Sequence, residues 1–157
     1  MATKRRKNDT LSIGSVSSGT MRTEDLIPSF LWEAQHLAPT QDERKQVNAI
    51  RKASDVNEDA EYWQSVGVGY DLEALFDILN NHCPPYMYFG SHTGDGADYG
   101  VWLSETFEED FNGLKVSDTS EVPARYVGEV LHFSDHGNLT LYYKPRYGTM
   151  REIWGIV

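Results

Sequence analysis

The pattern of apolar and polar positions changes character midway along this chain. Leu26, Ile27, Phe30, Leu31, Ala34 and Leu37 recur at helical spacing, which predicts an amphipathic helix starting near Thr23. Thr23 is a good N-cap, with Glu24 and Asp25 favouring the dipole, and Pro28 falls at the edge of what a first turn tolerates. Pro39 closes this helix. Thr40-Gln41-Asp42-Glu43 reads as a capping box for a second helix, with Val47 and Ile50 as a thin apolar face. A short third helix is expected around Asn57 to Gln64. Asp71 should cap a fourth, with Leu72, Leu75, Phe76 and Leu79 as its stripe, until Cys83-Pro84-Pro85 stops it.

After the prolines the periodicity falls to two. Tyr86 to His92, Tyr99 to Ser104, Tyr126 to Phe133, Leu139 to Lys144 and Arg151 to Val157 are short, aromatic or β-branched, and bounded by turn residues. Asp135-His136-Gly137-Asn138 and Pro145-Arg146-Tyr147-Gly148 supply glycines for hairpin turns. Glu105 to Gly113 is expected as a short helix or a loop between strands. Helices followed by strands predict an α+β fold, with N-terminal helices packed on a C-terminal antiparallel sheet of about five strands.

Length refines this picture. The 157 residues suit one domain, expected over 14–157, with a basic flexible tail over 1–13. The Ser- and Gly-rich run over 8–20 reads as an arm joining that tail to the first helix. No apolar run is long enough to span a bilayer and no apolar segment follows the basic cluster, so a soluble, cytoplasmic protein is expected. The single cysteine, Cys83, has no disulfide partner within the chain and reads as a buried, inert thiol.

Charge narrows the partners. The net charge is −10, but residues 1–10 carry a net +3, whereas 54–77 and 90–121 each carry a net −7. An acidic body repels nucleic-acid phosphates, so nucleic-acid binding is disfavoured except through the tail. A protein partner with a basic surface is favoured, and Glu108, Glu109 and Asp110 are candidate contacts for it.

The stretch "YFGSHTGDGADYGVW", Tyr88 to Trp102, concentrates candidate chemistry. Alternation places Tyr86, Tyr88, Gly90 and His92 on one strand face, and Met87, Phe89 and Ser91 on the other. Its glycines permit positive φ and its aspartates supply acceptors, which serve a ligand loop or a hairpin turn equally. It has no P-loop lysine and no EF-hand spacing. Tyr88, His92, Asp95, Asp98, Tyr99 and Trp102 are the candidate binding residues. His92, Asp95 and Asp98, with His132 and His136 of "LHFSDHGN", offer ligands suited to a divalent metal if the two loops meet. No cofactor is otherwise expected.

"GSVSSGTMRTEDLIPSF", "YMYFGSHTGDGADYGVW" and "DHGNLTLYYKPRYGTMREIWGIV" together resemble an uncharacterised family of small proteins associated with tailed phages and bacterial mobile elements. The resemblance runs from Gly14 to the C-terminus, and implies that residues 14–22 belong to the domain rather than to a linker. The resulting expectation is a non-enzymatic acidic interaction protein that binds and modulates a host or viral protein, as a host-defence inhibitor or nucleic-acid mimic would. Alternatives are a small metal-dependent hydrolase or ligand-binding protein using the Gly-Asp loop, and a virion or assembly component. A homo-oligomer is compatible with each.

Overall fold

A computed structural model describes residues 10–37, 39–56 and 60–157. The fold is α+β, and the backbone gathers into two compact units, Met1–Ser104 and Glu105–Val157. Most of the expected basic tail lies outside the described residues.

The first unit holds β1 (Gly14–Ser17), α1 (Thr23–His36), α2 (Gln41–Val56), α3 (Ala60–Trp63), α4 (Val66–Asn81), β2 (Met87–His92) and β3 (Asp95–Leu103). Its sheet has the order β1-β3-β2, antiparallel throughout. Met87, Phe89, Tyr99 and Val101 turn to one face and are buried. Helices α1 and α4 pack on each other, and α4 also packs on β2. At the centre Phe30 of α1 is fully buried, with Phe76 of α4 at 5.1 Å, Phe89 of β2 at 5.0 Å and Tyr99 of β3 at 6.0 Å between ring centroids. All three contacts are edge-on, the arrangement that the ring quadrupole favours.

Several helix boundaries depart from the sequence expectation. Thr23 lies inside α1, whose N-cap position is Arg22 with no side-chain cap bond. Thr20 does the local work instead: its Oγ1 accepts from the Arg22 N–H at 3.2 Å and donates to Asp25 Oδ2 at 2.6 Å. Helix α1 runs through Pro28. Helix α4 starts at Val66, well before Asp71, because Val68 buries ahead of the expected stripe and Asp71 is engaged elsewhere, accepting from the Tyr62 hydroxyl at 2.8 Å. The third helix covers Ala60–Trp63; Asn57 to Asp59 lie outside the described residues.

Within the run expected as an arm, the described residues 10–20 are tied to the fold. Leu11 is buried and its N–H donates to the His82 carbonyl at 2.9 Å, while Gly14–Ser17 pairs with β3 as an edge strand. Residues 14–17 thus belong to the folded unit. Gly100 makes this pairing possible, since a Cβ there would overlap the Gly14 carbonyl oxygen and crowd Ser15 Cα at 2.8 Å. The other sheet edge is closed by a side chain: Asn80 Oδ1 accepts the Phe89 N–H at 3.0 Å.

The second unit holds α5 (Phe107–Asp110), β4 (Leu114–Val116), a 3-10 turn at Thr119–Glu121, β5 (Gly128–Phe133), β6 (Leu139–Lys144) and β7 (Arg151–Ile156). Its sheet has the order β4-β5-β6-β7. The expected single sheet of about five strands is therefore two sheets, of three and four strands, and the β4–β5 pairing is parallel. Leu131, Leu141 and Trp154 stand in one cross-strand row, and Phe107 of α5 meets Trp154 edge-on at 5.9 Å. The Tyr126 hydroxyl donates to the Glu129 carbonyl at 2.7 Å and accepts from the Leu114 N–H at 3.2 Å, holding β4 beside β5. Gly137 and Gly148 take φ of 81° and 96°, as the expected hairpin turns require.

Truncation at the ring cluster tests this account. Phe30→Ala is expected to lower the unfolding free energy by about 3–5 kcal/mol in urea denaturation, the usual cost of an emptied aromatic core site. Gly100→Ala should cost about 1–3 kcal/mol through overpacking, whereas Gly96→Ala, whose Cβ would meet nothing within 4 Å, should stay within about 0.5 kcal/mol of wild type. Equal losses at the two glycines would show that the Gly14–Gly100 approach does not hold β1.

Candidate functional site

The hairpin β2–β3 carries most of the residues singled out in the sequence. Its turn is short, Thr93-Gly94, with His92 paired to Asp95. Neither Gly94 nor Gly96 occupies the left-handed region expected of them. The turn is closed by a side chain instead, since His92 Nδ1 accepts the Gly94 N–H at 2.9 Å. The proton of the neutral ring then sits on Nε2.

Alternation sorts the candidates as expected. Tyr88, Gly90 and His92 share the face opposite the ring cluster, beside Gly100 and Trp102. His92 stands edge-on to Trp102 at 4.7 Å, Trp102 Nε1 donates to the Gly90 carbonyl at 3.0 Å, and the Tyr88 hydroxyl donates to the Ser91 carbonyl at 2.8 Å. Asp98 Oδ1 accepts from Ser15 Oγ at 2.5 Å, and Asp95 Oδ1 accepts the Ala97 N–H at 3.0 Å. Tyr99 does not join them; it is buried against Phe30 and Phe76 and belongs to the core. The side chains of this face thus hold the hairpin together.

In the second unit Glu108, Glu109 and Asp110 are exposed on α5, with Asp110 Oδ2 accepting from Thr106 Oγ1 at 2.7 Å. His132 Nε2 donates to the Ser117 carbonyl at 3.1 Å, and His136 lies exposed in the β5–β6 turn. Asp118 sits nearby as the cap of the 3-10 turn. The Ser120 backbone N–H, then its side chain, hold the Asp118 carboxyl below its ordinary value, with the charge of His132 as a lesser contribution. Among the described residues no group of three His, Cys, Asp or Glu side chains converges closely enough to hold a metal ion.

Cys83, expected to be buried, is half-buried; burial pushes its thiol up to about 12, and Sγ donates weakly to the Leu79 carbonyl.

A second candidate lies along the seam of α1 and α2, where sequence reasoning placed none. The capping box sets the phase of α2: the Thr40 N–H donates to Glu43 Oε1 at 3.1 Å, and the Glu43 N–H donates to Thr40 Oγ1 at 3.3 Å. Glu43 also receives His82 Nε2 at 3.1 Å, which ties α2 to the end of α4. With Val47 and Ile50 buried, Arg44, Asn48 and Arg51 recur along one face at helical spacing. Facing them from α1 are Leu31, Trp32 and Gln35. Trp32 was visible as an aromatic residue out of phase with the α1 stripe.

Comparison with known proteins finds no matching family model, no matching curated protein and no matching solved structure. Among the described residues no helix is long and apolar enough to cross a membrane.

Two measurements follow from these contacts. His92→Ala is expected to lower the unfolding free energy by about 1 kcal/mol, because the turn N–H loses its acceptor and Trp102 its ring partner; an unchanged urea midpoint would free His92 from a structural role. For Glu43, burial opposes ionisation, but the Thr40 and His82 hydrogen bonds together outweigh it and hold the carboxyl below its ordinary value of 4.5. A depressed folded value stabilises the protein above the ordinary value, and that contribution is lost as pH falls through the depressed one. Glu43→Gln should therefore show a shallower loss of stability with acid in urea titrations at stepped pH, and an acid limb as steep as wild type would refute this.

Proposed function

We propose that this protein is a non-enzymatic interaction protein that binds and modulates a partner with a basic, partly apolar surface. The observation that carries this reading is the outward face of α4. Val66 and Tyr70 are 77% and 68% exposed, and they continue into the exposed carboxylates of Glu73 and Asp77. Spacings of four, three and four residues keep this row on one side of the helix, opposite Val68, Leu75 and Leu79. No basic residue interrupts α4. A tyrosine supplies contact area at low entropic cost, and flanking carboxylates steer a basic surface toward it.

The condition of the hairpin supports the same reading. His92, Asp95 and Asp98 each hold a hydrogen bond that maintains the local fold, which suits a scaffold for recognition. The resemblance to proteins of phages and mobile elements makes a host or viral protein with a nucleic-acid-binding surface a fitting partner, since such surfaces are basic.

Affinity capture from host lysate on the immobilised full chain tests this. The wild type is expected to retain a basic protein at low salt and to release it as salt screens the carboxylates. Tyr70→Ala and the pair Glu73→Lys with Asp77→Lys should each abolish retention without lowering the thermal midpoint. Retention that withstands high salt, or that charge reversal on α4 leaves intact, would sink the reading; reversal at Glu108, Glu109 and Asp110 reports separately on the acids of the second unit.

A further inference from the structure

The α1–α2 seam has properties that the acidic face of α4 does not share. Two concavities lie end to end along it, of about 220 and 280 Å³, meeting at Gln35 and Arg51. The first is walled by Trp32 and Trp63 over Pro28 and Leu31; the second by Arg44, Asn48 and Pro39. One end is aromatic and the other cationic.

The walls are held in place before anything binds. The ring of Trp32, 63% exposed, is backed by His36 at 4.3 Å, and His36 Nδ1 in turn donates to the Trp32 carbonyl at 2.6 Å. Arg51 Nη2 donates to Asn48 Oδ1 at 2.9 Å, which fixes the guanidinium at the junction. Among the described residues neither Arg44 nor Arg51 has a carboxylate within ion-pair distance. What marks this groove is the placement of two such arginines side by side next to an aromatic wall, so that an anion held by them would lie beside an apolar space.

We infer that this groove is a docking site for a short acidic peptide segment bearing an aromatic or large aliphatic side chain. A carboxylate would sit on Arg51 and Arg44, whose planar forks match it bidentately. The neighbouring apolar side chain would fill the space between Trp32 and Trp63, and Gln35 would bond the peptide backbone between them. Asp55 sets the polarity, because it lines the aromatic end and opposes a second carboxylate there. A nucleic-acid strand fits less well, because its repeated phosphates would run from the two arginines onto Asp55 at the aromatic end.

Selection of random linear peptides displayed against the full-length protein, counter-selected on Arg51→Glu, tests the assignment. Enriched sequences are expected to pair Asp or Glu with Trp, Phe or Leu. Synthetic peptides made from them should lose at least about tenfold in affinity with Arg51→Glu and with Trp32→Ala. They should keep it with Tyr70→Ala, so the outcome is independent of the α4 reading. Both altered residues are exposed, and unchanged circular dichroism would confirm that the variants fold. No enrichment over the counter-target, or peptides whose affinity survives both groove variants, would overturn the proposal. So would tighter, Arg51-dependent binding of oligothymidylate, or concentration-dependent self-association that Trp32→Ala removes; these would assign the groove to a nucleic acid or to a second copy of the chain.

Discussion

The fold of the first unit depends on one ring. Phe30 is the largest of the fully buried side chains and is the point where a helix from before the second helix, a helix from after it and two strands of the hairpin converge. A helix buries only a stripe and a sheet only a face, so neither is stable until the two are pressed together. Phe30, Phe76, Phe89 and Tyr99 are the groups that press them: Phe30 meets the other three edge-on, and Phe76 lies tilted against Phe89 and Tyr99. That is why Tyr99, nominated as a surface contact, had to be a core residue: the strand that carries it also carries Val101, and both turn toward α1 and α4.

Once the hairpin is fixed by that cluster, its edges are the remaining liability, because an open edge exposes unpaired N–H and C=O groups. Two different devices close them. On one side Asn80 reaches from the end of α4 to the Phe89 N–H. On the other, β1 returns from before all the helices and pairs with β3 across Gly100. Function at the hairpin is constrained by the same economy, since His92, Asp95 and Asp98 are spent on closing the turn and on Ser15.

What could be read in advance followed from local rules. The stripe from Leu26 to Leu37, the Thr40–Glu43 capping box and the glycines of the two hairpins in the second unit each rest on neighbours in sequence, and each took the expected form. What could not be read needed long-range pairing. Gly14–Ser17 has the composition of a linker, and only the approach of Gly100 makes it a strand; Leu114–Val116 is too short to announce itself and is held by Tyr126. The start of α4 was hidden because Asp71 reads as an N-cap, whereas the helix already runs from Val66 with Val68 buried ahead of it. The groove was illegible for a further reason: Trp32 and Arg51 are each ordinary on their own helix, and their meaning lies in the facing of two helices.

Net charge is a poor guide to recognition here, because screening confines each charge to about 8 Å of its surroundings at physiological ionic strength. Within that radius the acids of the first unit divide into two kinds. Asp25, Glu43, Asp71 and Asp98 each accept hydrogen bonds that place a helix end or a strand, so their position is set by the fold. Glu73 and Asp77 face outward without such a bond among the described residues, and Tyr70 stands beside them. Glu43 is held by Thr40 and His82, while Arg44, Asn48 and Arg51 follow one another at helical spacing and form a separate row on α2. A chain that is acidic in sum can therefore present an acidic row on one helix and a basic one on another, because helical spacing gathers residues three and four apart onto one face whatever the net charge of the chain.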